Sequence, residues 1–290
     1  MTTISADITC DLSPEMLADI NVQTVPYHIF IDGHNYKDNV DIFPKEIFSI
    51  YERTGSLPQT SAINISEYTE HFKKLRKKSK RDDIVHITLG SSLSSSYQNA
   101  CLAAEQLKHV YVVNSNTLCS ATGLQVLDAA KMAKEGKSGK EIKDYFDKHS
   151  QSYHISFILN TLDYIKAGGR CSSAVALASA AFNIKPVVIV DSYKNGALSV
   201  QKKYRGKLDK VLVKYVRDKI EQYDDIDYST CIISCTEEIQ GIKHYETIRK
   251  VLEKETPFEK IYETNASSTI SSHCGPGCTA IAFKTYSNCL

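Results

Sequence analysis

Apolar runs with strand character alternate with stretches of helical periodicity along most of the chain. The clearest run is Ile84–Leu89, whose β-branched residues are typical of a buried parallel strand, and helical periodicity begins at Tyr97. Shorter runs end at Asp7 and at Asn114, and each is followed by polar residues and another helix. This alternation predicts an α/β protein built from strand–helix units.

The second half of the chain repeats the same alternation. Four runs predict strands: Ile155–Leu159, Ile184–Val190, Thr230–Ser234 and Lys260–Tyr262. Three intervening patterns predict helices: Ser172–Phe182, Arg205–Gln222 and Gln240–Glu253. A charged, glycine-bearing stretch over 134–151 predicts a boundary near residue 150, with one α/β domain over 1–150 and a second over 151–290. The chain after Gly277 is interpreted only as a small apolar tail.

Five serines lie where the strand Ile84–Leu89 passes into the next helix: Ser91, Ser92, Ser94, Ser95 and Ser96. In open α/β sheets ligands bind at such junctions, because free backbone N–H groups and the positive end of the helix meet there. The alternative is that the serines cap the helix and fill the turn. A turn requires only one capping side chain, so the number of serines favours a binding role as much as a structural one.

Composition excludes several classes of function. The 290 residues carry 35 basic and 34 acidic side chains, which gives no indication of nucleic acid or an anionic membrane surface as a partner. Neither a transmembrane run nor a signal peptide is evident, and nine cysteines without a C-x-x-C pair are typical of reduced thiols in the cytoplasm. The pairs Cys231/Cys235 and Cys274/Cys278 loosely permit zinc, but free thiols are the favoured interpretation, so we predict no metal and no cofactor.

Two further segments have a structural and a functional interpretation. Gly136–Ser138 superficially resembles a phosphate loop, but Lys131 stands where that motif requires glycine. The alanine-rich helix over Ala174–Ala181 has little side-chain bulk, which suits either the lining of an apolar slot or close helix packing. Arg170 follows two glycines and is a candidate for binding the carbonyl groups at the end of the preceding helix.

A serine hydrolase or acyltransferase is one alternative function, with Ser92 or Ser94 as nucleophile and His273 as base. However, Gly90–Ser94 lacks the last glycine of the nucleophile elbow, and no orienting carboxylate is evident near His273. A sugar or phosphate binder that uses the same strand ends is a third possibility. The lack of a glycine-rich phosphate loop counts against it.

Seven motifs occur in an order that resembles the DegV-type bacterial fatty-acid-binding proteins over essentially the whole chain. They are Asp7–Leu12, Gln59–Ser61, Ser91–Ser94 with Tyr97-Gln98, Asn114-Ser115, Leu162–Arg170, Asn183–Pro186 and His273–Gly277. The resemblance implies a cytoplasmic protein with two α/β domains, which holds one long-chain fatty acid in a slot between them. It also implies a role in phospholipid metabolism without turnover of its own, because a separate fatty-acid kinase phosphorylates the bound carboxylate to an acyl-phosphate.

The resemblance also implies which residues act. The carboxylate would be held by Thr60 or Ser61, by Ser94 and by His273, and Arg205 would face the kinase. Without the resemblance, a structural role is the favoured interpretation of His273, and a solvated patch is as good an interpretation of the cations around Arg205 as a partner surface.

This chain departs from the family pattern within the expected site. Ser95 stands where the family usually has glycine, Ser96 where it has threonine, Asn114 where it has aspartate and Cys274 where it has threonine. Because glycine adopts a positive φ freely and serine does not, Ser95 predicts a change in the fine shape of the head-group loop.

Overall fold

The computed structural model describes residues 2–78, 83–177, 184–236 and 238–287, which form a mixed α/β fold of two α/β domains. The strands, in chain order, are β1 Thr2–Asp7, β2 Gln23–Val25, β3 His28–Ile31, β4 His34–Lys37, β5 Gln59–Ser61, β6 Asp83–Thr88, β7 Val110–Asn114, β8 Tyr153–Ile158, β9 Ile184–Asp191, β10 Ala197–Arg205, β11 Ile226–Cys235, β12 Ile261–Asn265 and β13 Thr279–Thr285.

The helices alternate with these strands as the periodicity predicts. They are α1 Pro14–Asp19, α2 Pro44–Thr54, α3 Ile65–Lys78, α4 Ser96–Glu105, α5 Cys119–Lys134, α6 Gly139–His149, α7 Asp163–Gly168, α8 Ser172–Val175, α9 Leu208–Ile220, α10 Glu238–Glu255 and α11 Ser268–Cys274. Helix α1 begins as the Ser-Pro pair at its start favours, since the Ser13 hydroxyl accepts a hydrogen bond from the Met16 N–H and Pro14 is the first helical residue.

The first sheet is parallel throughout and has the strand order β2-β1-β6-β7. Its central strands are buried, which confirms the interpretation of the apolar run that ends at Leu89. Because β1, β6 and β7 run in one direction, the polar residues that follow them come together at one edge of the sheet.

A separate antiparallel sheet has the order β4-β3-β5. Its hairpin turns at Asp32 and Gly33, which both have positive φ (52° and 79°), as the Asp-Gly pair predicts. Strand β5 pairs with β3 through Thr60 and Ile29, and this pairing carries Thr60 and Ser61 toward the edge of the first sheet.

The second sheet is mixed and has the order β10-β9-β8-β13-β11-β12. The segment after Gly277, which the sequence analysis interpreted as an apolar tail, forms strand β13. It lies in the interior of this sheet between β8 and β11. It is a strand because its side chains are buried on both faces and both of its edges are hydrogen-bonded.

Two predicted helices need correction. The helix expected from Arg205 begins at Leu208, because β10 continues to Arg205 through antiparallel pairing with Ile184 of β9. Of the segment Ser172–Phe182, which was expected to be one helix, Ser172–Val175 is helical, and residues 178–183 lie outside the described residues.

Helix α5 lies between the two main sheets and is buried along most of its length. Its small residues permit this close packing: a Cβ on Gly123 would lie 2.6 Å from the carbonyl oxygen of Cys10. Helix α6, which the sequence interpretation replaced by a boundary segment, begins with a capping box formed by Ser138 and Glu141 and packs on β6 and β7. Helices α9 and α10 cover the opposite face of the second sheet.

Candidate functional site

A buried carboxylate fixes the start of the serine-rich loop. Asp7, at the end of β1, accepts hydrogen bonds from the Tyr27 hydroxyl (3.1 Å), the Tyr68 hydroxyl (2.6 Å) and the Leu89 N–H (3.0 Å). His86 Nε2 lies 3.1 Å from the same carboxylate. All of these groups are buried, so the network is protected from water and holds the first residue of the loop in one position.

Between this loop, β5 and α11 lies a cavity of about 170 Å³, which we call the head cavity. Its polar lining side chains are Tyr27, Thr60, Ser61, Ser94, Ser95, Arg170, Thr269 and His273. Its apolar lining includes Leu89, Leu93, Leu118, Phe157, Ile165, Leu198 and Ile270. Both halves of the chain therefore contribute polar and apolar side chains to one space.

The structure brings four of the five predicted site residues to this cavity. Thr60 Oγ1 lies 2.8 Å from Nε2 of His273, although 213 residues separate the two in sequence. Ser61 and Ser94 line the same cavity. Arg205 does not; it is exposed at the end of β10.

Thr60 and Ser61, which the sequence left as alternatives, differ in their surroundings. Thr60 is half-buried and its hydroxyl is bonded to His273, whereas Ser61 is exposed and borders the cavity without a bond to His273. The difference follows from the strand, since consecutive side chains of β5 point to opposite faces.

Ser94 is held by the first residue of α4. Its hydroxyl donates to the Ser96 hydroxyl (3.0 Å) and accepts from the Ser96 N–H (3.2 Å). Ser95 has a φ of −76°, so this position does not adopt the positive φ that would have required glycine. Ser94 both caps the helix and borders the cavity.

Helix α11 carries His273 and is itself held by two buried carboxylates. Asp38 accepts from the N–H groups of Ser268 (2.7 Å) and Thr269 (3.0 Å), and Asp11 accepts from the N–H of Ser267 (2.9 Å). Burial raises the pKa of Asp38 to about 6 and that of Asp11 to about 7, because the loss of hydration outweighs these hydrogen bonds. Sequence reasoning missed both roles, since neither carboxylate is near His273 in the chain.

His273 is uncharged at neutral pH. Burial, and after it the charge of Arg170, lowers its pKa to about 4. Its Nδ1 has no hydrogen-bond partner among the described residues, while Nε2 is bonded to Thr60. A neutral imidazole supplies one N–H donor and one acceptor, so it can share a ligand with a neighbouring hydroxyl.

Gly168 leaves space for the His273 imidazole because it has no side chain. A Cβ at this position would lie 2.2 Å from His273 Nδ1, closer than real Cβ contacts allow. The next residue, Gly169, ends α7 with a φ of 67°, and its Cβ would meet no atom within 4 Å. The two neighbouring glycines are therefore needed for different reasons, one for space beside His273 and one for backbone conformation.

Sequence reasoning did not select Tyr27 or Arg170 for the site. Arg170 donates from Nη1 to the Gly168 carbonyl (2.6 Å), which confirms the predicted carbonyl contact, and it also lines the head cavity, where its charge acts on His273. Tyr27 lines the cavity and bonds to Asp7. The Gly-Gly-Arg sequence was the available signal for Arg170, but nothing local marked Tyr27.

The structure gives no support to two of the other interpretations. Ser172–Leu177, the described part of the alanine-rich segment, does not line the head cavity, and residues 178–181 lie outside the described residues. Over the described ranges no three His, Cys, Asp or Glu side chains are placed so that they could hold one metal ion, so the zinc interpretation of the cysteines has no geometric support.

The geometry also does not assemble a hydrolytic triad. The hydroxyl bonded to His273 belongs to Thr60, and the hydroxyl of Ser94 is bonded to Ser96. In the part of the chain that the structure describes, no carboxylate is bonded to His273 to orient it as a base.

Among the described helices none is long and apolar enough to cross a bilayer.

Comparisons with known proteins give one consistent result. A family model described as "Uncharacterised protein, DegV family" matches residues 1–285. A DegV domain-containing protein of Clostridium perfringens is 28% identical over 292 residues, with 97% of this chain and 96% of that protein covered. One from Deinococcus radiodurans is 25% identical over 287 residues, with 98% of each covered.

Solved structures show the same fold. A Thermus thermophilus structure described as fatty acid binding of a DegV family protein has a TM-score of 0.86 and 23% identity, with 98% of this chain and 99% of that chain covered. A DegV family protein from Eubacterium eligens, loaded with heptadecanoic acid, has a TM-score of 0.84 and 21% identity, with 98% and 100% covered.

Proposed function

Since the chain belongs to the DegV family, we propose that it binds one long-chain fatty acid, with the carboxylate at Thr60 and His273 and the acyl chain along the apolar lining of the head cavity. The observation that carries this proposal is the pairing of the Thr60 hydroxyl with the neutral imidazole of His273 in a cavity that apolar side chains also line. The bound fatty acids of the Thermus and Eubacterium relatives support the same ligand class.

The chemistry of the head group follows from these donors. On binding, the hydroxyls of Thr60 and Ser94 would turn from His273 and Ser96 to donate to the carboxylate. The single N–H of the neutral imidazole, on Nε2, would donate to the carboxylate in place of its bond with Thr60, and Arg170 would supply the nearby positive charge. A carboxylate beside His273 would raise the pKa of the imidazole from about 4, because the opposite charge favours the protonated form. Hydroxyl donors also leave the carboxylate oxygens free of a bidentate arginine pair, which suits a group that is to accept a phosphoryl group.

We further propose that the chain has no turnover of its own and presents the carboxylate to a fatty-acid kinase. Strand β10 is the edge strand of the second sheet: Leu198, near one end, lines the head cavity, and Arg205, at the other end, is exposed. They are seven positions apart along the strand, a distance of roughly 20 Å. A partner that contacts Arg205 and reaches the carboxylate would therefore cover this whole edge.

The cluster of cations around Arg205 is smaller than the sequence suggested. Lys202 forms an ion pair with Asp218, whereas Lys203, Arg205 and Lys207 form no ion pair with a described residue. Cations on an edge strand also protect against pairing with other sheets, which is the competing explanation for their position. The two explanations differ in what they predict for Arg205→Ala when a kinase is present.

We also propose the domain boundary near residue 150. The support is that α6, which ends at His149, packs on the first sheet, and that the next strand, β8, begins at Tyr153 in the second sheet.

The experiment is mass spectrometry of lipid extracted from the protein after purification without denaturants. We expect a fatty acid in near-stoichiometric amount, and less of it in a His273→Ala variant of equal thermal stability. A lipid-free protein that takes up no added fatty acid would contradict the proposal. Esterase activity of the purified chain that disappears in Ser94→Ala would instead favour a hydrolase.

A further inference from the structure

Three internal spaces follow one another through the molecule, and the head cavity is the first. The second, which we call the thiol cavity, is lined by Cys119, Cys235, Cys274 and Cys278 together with apolar residues. It shares Leu118, Phe157, Ile270 and Cys274 with the head cavity. A wall of single side chains therefore separates the two spaces.

The third space is a groove that lies along α1 and α2, and we call it the α1–α2 groove. Its apolar lining includes Ile8, Leu12, Leu17, Phe43 and Phe48. It shares Thr236 and Ala266 with the thiol cavity. The three spaces thus form a row from the polar site at Thr60 and His273 to a groove that is open to solvent at Phe43.

The sizes of the three spaces suggest how they would be used. The head cavity measures about 170 Å³, below the ~300–1,000 Å³ typical of sites that enclose a ligand of this size. The thiol cavity, at about 10 Å³, has room for about one water molecule. The α1–α2 groove measures about 520 Å³ and has polar and charged residues such as Lys45 and Glu52 in its lining beside the apolar ones, so most of the space along the row lies at the far end from the head group.

The thiol cavity is a suitable passage for an alkyl chain. Burial raises the pKa of the Cys119 and Cys278 thiols well above their usual values, so these side chains are uncharged. A neutral cysteine behaves as a small, polarizable apolar side chain. Rotation of such small groups would widen the passage without exposing a charge to the alkyl chain.

We propose that the terminal carbons of a long acyl chain pass the thiol cavity and lie in the α1–α2 groove, which therefore selects for chain length. This inference rests on the proposed function, because it requires a carboxylate in the head cavity. The wall between the thiol cavity and the groove, formed by Thr236 and Ala266, determines which chains reach the groove. Short chains end before this wall, and only long chains gain the apolar contacts beyond it.

The direct test uses two saturated fatty acids that carry a terminal diazirine, one of about ten and one of about eighteen carbons. After irradiation, labelled residues are identified by mass spectrometry of peptides. We expect the long probe to label Leu12, Leu17 or Phe48, and the short probe to label Phe157 or Ile270. Long-probe labels confined to the head and thiol cavities would overturn the inference. Failure of both probes to bind would contradict the proposed function itself.

A matched pair of variants provides the second test. Leu17→Gln places a polar group in the groove, away from the head and thiol cavities, and Leu102→Gln makes the same change at an exposed position of α4 that lines none of the three spaces. We expect Leu17→Gln to weaken binding of the eighteen-carbon acid by roughly tenfold, the equivalent of about two buried methylenes, and to leave the ten-carbon acid unaffected. Equal affinity of both variants for the long acid would overturn the inference.

Discussion

Gly168→Ala should impair binding without harming the fold. The added Cβ would lie 2.2 Å from Nδ1 and 3.1 Å from Cε1 of His273, and real Cβ contacts below 3.0 Å are essentially never seen. The imidazole must therefore retreat by roughly 1 Å, since the backbone of α7 is fixed by its own hydrogen bonds. A shift of this size breaks the 2.8 Å contact between His273 Nε2 and Thr60 Oγ1.

The size of the loss follows from the bond that His273 would make to the carboxylate. A hydrogen bond to a charged acceptor contributes about 1.5–3 kcal/mol, so its loss weakens binding roughly ten- to a hundredfold. Stability should change little, because alanine is a better helix former than glycine by about 1 kcal/mol, and this gain offsets part of the strain. Binding and stability should therefore respond differently.

The assay is fatty-acid binding by titration calorimetry, with thermal unfolding measured on the same samples. Gly169→Ala is the matched control, because its Cβ meets no atom within 4 Å but its φ of 67° is unfavourable for alanine by about 1–2 kcal/mol. We expect this control to lose stability and retain affinity. In a His273→Ala background, Gly168→Ala should cause no further loss of affinity. If Gly168→Ala alone binds as tightly as the parent, His273 does not hold the head group.

Three other substitutions test separate parts of the site. Ser94→Ala should weaken fatty-acid binding roughly tenfold or more, measured by calorimetry, whereas Ser92→Ala, at an exposed serine of the same loop, should not; equal affinities would refute the assignment. Arg205→Ala should slow acyl-phosphate formation by an added kinase, with a smaller defect at high salt, and should leave fatty-acid binding unchanged. If Lys77→Ala, at another exposed cation, slows the reaction equally, Arg205 has no specific role in contacting the kinase. In the parent, the unfolding free energy should fall by on the order of 3 kcal/mol as the pH rises from about 4 to 6, because the raised pKa of Asp38 makes the folded state bind more protons there than the unfolded state. Asp38→Asn should remove this fall in denaturant titrations, whereas Asp41→Asn, at an exposed carboxylate, should retain it.

The central strand β6 of the first sheet and the β3–β4 hairpin could be predicted from sequence because their signals are local. The strand before Leu89 is a continuous apolar run, and the hairpin at Asp32 and Gly33 has a turn pair that fits only a few conformations. The loop that contributes Ser94 follows from the end of that strand. In each case neighbouring residues specify the conformation.

Elements that depend on distant residues were missed. Strand β13 lies between β8 and β11, and its small apolar residues identify a strand only when both partners are in place. Helix α11 has the sequence Ser-Thr-Ile-Ser-Ser-His-Cys, which has low helix propensity, and its first N–H groups are satisfied by Asp11 and Asp38 more than 200 residues away. The only local signal is the N-cap Ser267, whose hydroxyl accepts from the Ile270 N–H, and it does not by itself specify a helix in so weak a sequence.

The same distant contacts explain why the head-group site depends on the way the halves of the chain pack together. The N–H groups at the start of a helix need acceptors, and in a buried position water cannot supply them. Asp38 and Asp11, from the first forty residues, supply them to α11, and α11 in turn carries His273 to Thr60. The raised pKa values of both carboxyls show that their ionised forms are costly to bury, so this anchorage is maintained against a penalty in stability. A loss of this packing would therefore move His273 away from Thr60 while each half retained its own sheet.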